Sequence, residues 1–143
     1  METQKIDRRK SYFITFDTET ANSLDCPLMY DLGFAVHDKQ GKVYETFSFV
    51  IADIYCNEKN LMKSAYYAEK LPQYEIGIKA GQRKIVSAET AKRILAETAR
   101  KYNVKAIIAH NARFDYKSTA NTIRYITKSK IRYFLPYGVP LWD

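Results

Sequence analysis

The sequence predicts an α/β fold, a mixed sheet in which an antiparallel three-strand meander is followed by helix, strand and helix. Three observations carry this expectation. Ser11 to Thr20, SYFITFDTET, gathers Tyr12, Phe13, Ile14 and Phe16 into the short aromatic and β-branched run that favours a half-buried strand. Two more strand-like runs follow across short turn signals, as in a meander. Further along, stretches with helical spacing flank one more short apolar run, which makes the sheet mixed.

Taken in order, the first strand carries Asp17 and Glu19 at its end and gives way to ANSLDCP, a polar, proline-ended loop. Leu28 to His37 reads as the second strand, Gly41 as a turn, and Val43 to Val50 as the third strand. From Glu58 to Lys70 the residues Leu61, Met62, Ala65, Tyr66 and Ala68 recur at helical spacing. Pro72 is expected to end that helix, leaving Gln73 to Lys84 as an irregular connection. Ser87 reads as the N-cap of a helix reaching about Tyr102, with Ala91, Ile94, Leu95, Thr98 and Tyr102 on one stripe. Lys105 to Ala109 is a short strand, and His110 to Asp115 leads from it into a third helix packing through Tyr116, Ala120, Ile123 and Ile126. Ile131 to Asp143 holds Pro136, Gly138 and Pro140 and reads as a loop or edge strand.

A chain of 143 residues is about one domain, so residues 1–143 are read as a single unit. Its net charge of +7 suits a polyanionic partner, and the excess is concentrated: Arg113, Lys117, Arg124, Lys128, Lys130 and Arg132 face only Asp115 in that stretch. Such clustering favours nucleic acid over a generic solvated face. Cys26 and Cys56 are too few for a disulfide framework and read as free thiols without a role. With only His37 and His110 beside them, a zinc site is not expected. His37 reads as structural and His110 as a residue that orients its loop. The polar start METQKIDRRK lacks the apolar core of a secretory signal, and no apolar segment is long enough to cross a bilayer. The expectation is a cytoplasmic protein without a membrane partner.

Positions two apart on a strand share a face, so Asp17 and Glu19 lie side by side while Thr18 points the other way. Two neighbouring anions raise a pKa or call for a cation, and oxygen-seeking magnesium or manganese is the natural one. Taken alone, D-x-E occurs often by chance and is better read as a solvated strand end. In the expected topology, however, the strand end before Asp115 lies beside the strand end carrying Asp17 and Glu19, which brings three carboxylates together and argues for a divalent metal.

Phe16-Asp17-Thr18-Glu19-Thr20, followed by His110-Asn111-Ala112-Arg113-Phe114-Asp115, resembles the first and second motifs of the DEDD, or DnaQ-like, 3′-to-5′ exonucleases. The order of elements agrees with that family over nearly the whole chain. The resemblance implies a ribonuclease H-like fold and two Mg2+ or Mn2+ ions. It implies Asp17 bridging both, Glu19 serving the ion that carries the water, and Asp115 acting on the second. Asn111 and Phe114 would hold the terminal nucleotide of a single-stranded DNA or RNA 3′ end, with the backbone of Thr18 and Thr20 near that end. A DNA polymerase or other replication protein is the kind of partner implied.

Members of the family carry a third motif, Y-x-x-x-D or H-x-x-x-x-D, with a general base and a fourth carboxylate. Here Tyr133 is followed four residues later by Tyr137, and after the third helix the one acid is Asp143. His110 and Asp115 have the second spacing but belong to the second motif. The final PLWD resembles the family segment shortly after the second motif. The expectation is a domain truncated before its last helix, with little nuclease activity of its own and a homodimer through the surface that helix leaves. The alternative is an inactive nucleic-acid-binding or protein-interaction module on the same fold. Tyr125 and Tyr133 stand open as base-stacking residues, whereas Tyr116 is weighted to the core.

Overall fold

The computed structural model describes residues 6–63, 65, 68–128 and 134–143; the expectations placed on Tyr66, Lys130, Ile131, Arg132 and Tyr133 lie outside the described residues. Six strands are present among those described: β1 (Tyr12–Ala21), β2 (Leu28–Asp38), β3 (Val43–Ile51), β4 (Lys84–Val86), β5 (Ala106–Ile108) and β6 (Leu141–Trp142). They form one sheet in the order β4-β3-β2-β1-β5-β6. β1 to β3 pair antiparallel, while β4, β5 and β6 join in parallel, so the expected meander stands within a mixed α/β sheet.

The β2–β3 hairpin is closed by one buried acid. Asp38 Oδ1 accepts from the backbone N–H of Gln40 and Lys42 at 2.9 and 3.0 Å, its Oδ2 accepts from the Tyr44 hydroxyl, and Gly41 takes the positive φ of 89° that the turn requires.

Helices lie on both faces. α4 (Ala88–Tyr102) and α5 (Ala112–Thr127) cover one face, where Ile14, Phe16, Leu32, Val36, Leu95 and Ile107 form the main core. The N-cap of α4 is Ser87, whose Oγ accepts from the Thr90 N–H at 3.1 Å, and its stripe of Ala91, Leu95, Thr98 and Tyr102 is buried as its spacing requires. The second face carries a smaller cluster around Leu28, Tyr30, Val50 and Ile54, beneath the short α1 (Ala52–Tyr55), α2 (Lys59–Lys63) and α3 (Leu71–Lys79).

Two expectations are corrected on this second face. The single helix expected over Glu58 to Lys70 is instead α2 and a separate 3₁₀ turn at Ala68–Lys70. Pro72 does not terminate a helix but sits in the first turn of α3, where its missing N–H would have had no partner and its fixed φ already suits the helix. Gln73 to Lys84 is accordingly ordered: Leu71, Tyr74 and Ile78 bind α3 to the smaller cluster, and β4 follows at the sheet edge. A third correction concerns α5. It buries Ala120 and Ile123, but Tyr116 is 47% exposed, and the place expected for it is taken by Asp115, Ser118, Thr119 and Thr122.

Replacing Ser87 by Ala removes the α4 cap and is expected to cost about 1 kcal/mol. Urea unfolding should show a lower midpoint at unchanged slope.

Candidate active site

β1 and β5 run parallel, with Phe13, Ile14 and Thr15 opposite Ala106, Ile107 and Ile108. β5 stops there, so Ala109 to Asp115 pass beside the second half of β1, where Asp17 and Glu19 stand. In open α/β sheets this region beyond the carboxyl ends of parallel strands is where ligands bind. β1 itself continues to Ala21, which places both acids within the strand rather than at its end.

The alternation of β1 divides the acids. Phe16 and Thr18 are buried toward α4 and α5, whereas Asp17 is exposed and Glu19 half-buried on the opposite face. Asp115, only 2% exposed in the first turn of α5, meets the strand through Thr18: the Thr18 hydroxyl donates to Asp115 Oδ1 at 2.7 Å and lies 3.0 Å from Ser118 Oγ. Ser118 in turn donates to the Asp115 carbonyl at 3.0 Å. The structure thus brings Asp115 against the middle residue of D-x-E, with that residue's side chain as the link.

Electrostatics nevertheless tie the acids together. Burial pushes the Asp115 carboxyl above its ordinary range and the charge of Asp17 adds to this, against the Thr18 hydroxyl and His110, which hold it down. Glu19 is raised by burial first and then by Asp17 and Asp31, with Lys70 opposing. Asp31 is also raised, by burial and to a lesser degree by Asp17, against Tyr74 and Arg83. The charge of Asp17 therefore bears on all three.

Asp31, Tyr74 and Arg83 were not singled out by the sequence. Glu19 pairs with Asp31 but Thr20 pairs with Met29, so Tyr30 is an extra residue, a β-bulge in β2. The bulge puts two consecutive side chains on the Glu19 face: Tyr30 enters the smaller core cluster, and Asp31 lines a cleft of about 270 Å³ with Glu19, Lys70, Gln73, Tyr74 and Arg83. The Tyr74 hydroxyl donates to Asp31 Oδ2 at 2.8 Å, Arg83 Nη1 lies 3.2 Å from each Asp31 oxygen, and the guanidinium sits 4.2 Å from the centre of the Tyr74 ring. Gly77 leaves room for this, since a Cβ there would meet the Arg83 side chain at 3.3 Å. The available signal was the apolar run Leu28-Met29-Tyr30, which breaks the alternation that resumes at Leu32.

Of the remaining residues named from the sequence, Asn111, Phe114, His110 and Thr20 belong to the α5 start and the far end of β1, and His37 lies opposite Phe13 toward the other end. Asn111 is the exposed N-cap of α5 with a left-handed φ of 56°, and its N–H is bound by Asp143 Oδ1 at 2.9 Å. Its carbonyl accepts the N–H of half-buried Phe114 at 2.9 Å. Thr20 is half-buried next to the bulge, and His110 is exposed. His37 bridges strands through its Nε2, 2.7 Å from Thr15 Oγ1, which fits a structural role.

Asp17, Glu19 and Asp31 offer carboxylate oxygens on one face of β1 and β2, hard donors of the kind a divalent magnesium or manganese takes, while Asp115 lies on the other face of β1 against Thr18. Among the described residues, no group of three His, Cys, Asp or Glu side chains is arranged to hold a metal. No helix among them is long and apolar enough to cross a membrane. No protein-family model matches the chain, and no curated protein matches it.

Thr18→Val keeps the volume but leaves the Asp115 carboxylate buried without its hydroxyl donor, and is expected to cost about 1–3 kcal/mol in chemical unfolding at neutral pH. A second expectation concerns pH. Glu19, Asp31 and Asp115 each have a folded-state pKa above the ordinary one, so the fold holds their protons more tightly than the unfolded chain. That contribution is complete at and below the ordinary carboxylate range and is lost as pH rises through the raised values. Asp17→Asn should therefore raise the melting midpoint at neutral pH, with a gain that shrinks as the pH falls toward about 4. Melting curves of both proteins across that range check the sign.

Proposed function

We propose that this domain is a ribonuclease H-like, metal-dependent exonuclease fold that acts on the 3′ end of a single-stranded nucleic acid, hydrolysing its phosphodiester bonds. The observation that carries the reading is geometric: Asp17 and Glu19 share one face of β1 beyond the end of β5, and Asp115 at the start of α5 is tied to the intervening Thr18 at 2.7 Å. The two motifs on β1 and at the start of α5, in that order, give it its class.

Asp17 and Glu19 would hold the ions, with Asp115 serving from the α5 side and Asp31 adding an acid that the sequence motifs do not contain. When bound, such ions activate a water and neutralise charge on the leaving oxygen. The protein's own part is to orient the strand end. Asn111 and Phe114, at the start of α5 beside Asp115, would receive the terminal nucleotide, Phe114 by apolar contact with sugar or base. The Arg83–Asp31–Tyr74 network would fix the Glu19 side of the site, because Arg83 and Tyr74 restrain Asp31 opposite it.

A second reading, an inactive nucleic-acid-binding module with the same fold, is favoured by one observation: Asp115 Oδ1 is already engaged by Thr18, on the far side of β1 from Asp17. Manganese titration followed by thermal melting separates the two. Under the exonuclease reading the wild-type midpoint climbs with manganese and that of Asp17→Ala does not. For lack of the third motif, a 5′-labelled oligonucleotide incubated with the wild type should then shorten from its 3′ end only slowly, and full-rate digestion would overturn the impairment. Absence of any manganese response leaves the binding module.

A further inference from the structure

α5 has an outer face that the acids do not use. Arg113, Lys117, Arg124 and Lys128 are all exposed, and none of the four has an ion-pair partner among the described residues. At 3.6 residues per turn Arg113, Lys117 and Arg124 fall within about 40° of one another around the axis as a single stripe, and Lys128 follows at the left-handed C-cap, so that the four span about 22 Å. The acid in this stretch, Asp115, is turned inward to Thr18 and does not neutralise them. Tyr116, 47% exposed, flanks the stripe one residue before Lys117. Toward the far end, Tyr125 is fixed by donating to Glu58 Oε1 at 2.8 Å, with Lys128 Nζ 4.8 Å from the centre of its ring. A helix that merely needed a solvated face would gain from mixed charges in i,i+4 pairs. This one repeats a single sign.

We infer that the outer face of α5 is a track for a single-stranded nucleic acid, with phosphates on Arg113, Lys117, Arg124 and Lys128 and a base stacked on Tyr116. The inference rests on the nucleic-acid reading of the site and gives it a direction: the strand lies along α5 and its 3′ end reaches Asn111 and Phe114 at the helix start. At about 3.4 Å per stacked nucleotide the stripe accommodates roughly six. Since the track engages phosphates, binding along it is insensitive to sequence and falls steeply with salt.

The test is fluorescence anisotropy of a labelled oligothymidylate in EDTA, from about 50 to 200 mM salt. Wild-type protein binds, and Lys117→Gln/Arg124→Gln lowers the logarithmic salt slope by about 0.7 for each phosphate that is no longer neutralised. Tyr116→Ser weakens binding about tenfold, as removal of one stacking platform does. Lys39→Gln/Lys105→Gln removes the same charge from exposed positions elsewhere and leaves the slope unchanged. Equal weakening in the two double variants, an unchanged slope in Lys117→Gln/Arg124→Gln, or no binding by the wild type overturns the track. Because EDTA removes divalent ions, these results are independent of the manganese response. A slope change without a manganese effect keeps the track and discards the exonuclease, and the reverse keeps the exonuclease and discards the track.

Discussion

The rest of the molecule depends on the two-residue period of β1. Lying between β2 and β5, this strand must commit every second side chain to the main core, and Tyr12, Ile14, Phe16 and Thr18 are the ones committed. Asp17 and Glu19 then have no choice of face. Thr18, as the one polar member of the buried set, becomes the point where α5 is fastened, through Asp115 at 2.7 Å. One strand's alternation thus sets both the direction of the acidic pair and the position of the helix that brings the third acid and the basic stripe.

The arrangement is held at a cost. Three carboxyls are kept above their ordinary range, each principally by burial and each further by Asp17. Neighbouring groups offset part of this: Thr18 for Asp115, Tyr74 and Arg83 for Asp31, Lys70 for Glu19. The arrangement persists because the packing of β1 and β2 fixes where these side chains stand.

Much of the scaffold was legible because local chemistry and tertiary demand agree there. Ser87 caps α4, the α4 stripe is buried, β1 to β3 form the meander, and the acids stand on one face of β1 with Thr18 on the other. The second face was misread where they disagree. Pro72 serves equally as a stop or as a first-turn residue, and only the packing of Leu71, Tyr74 and Ile78 decides between them. Tyr116 has the spacing of a core residue, but the room beneath α5 is narrow where it crosses β1 and β2, and Ser118, Thr119 and Thr122 fill it; Thr122 even accepts the Met29 N–H at 2.9 Å. Asp31 and Arg83 stayed hidden because their meeting spans 52 positions and depends on a register shift that no local pattern announces.

That register shift carries a lesson about how this chain can change. Leu28 and Tyr30 belong to one layer and Met29 and Leu32 to the other, so β2 changes phase at Tyr30. Substituting a residue on either side disturbs a single pocket. Deleting the extra residue at the bulge restores strict alternation and leaves Leu28 and Met29 in their own layers, whereas deleting one residue elsewhere in β2 rotates the side chains beyond it by half a turn and sends them into the wrong layer. Away from the bulge the strand is thus tolerant of spelling but not of length, and insertions or deletions should be absorbed by the exposed turn at residues 22–26 or at the bulge rather than within the regular part of β2.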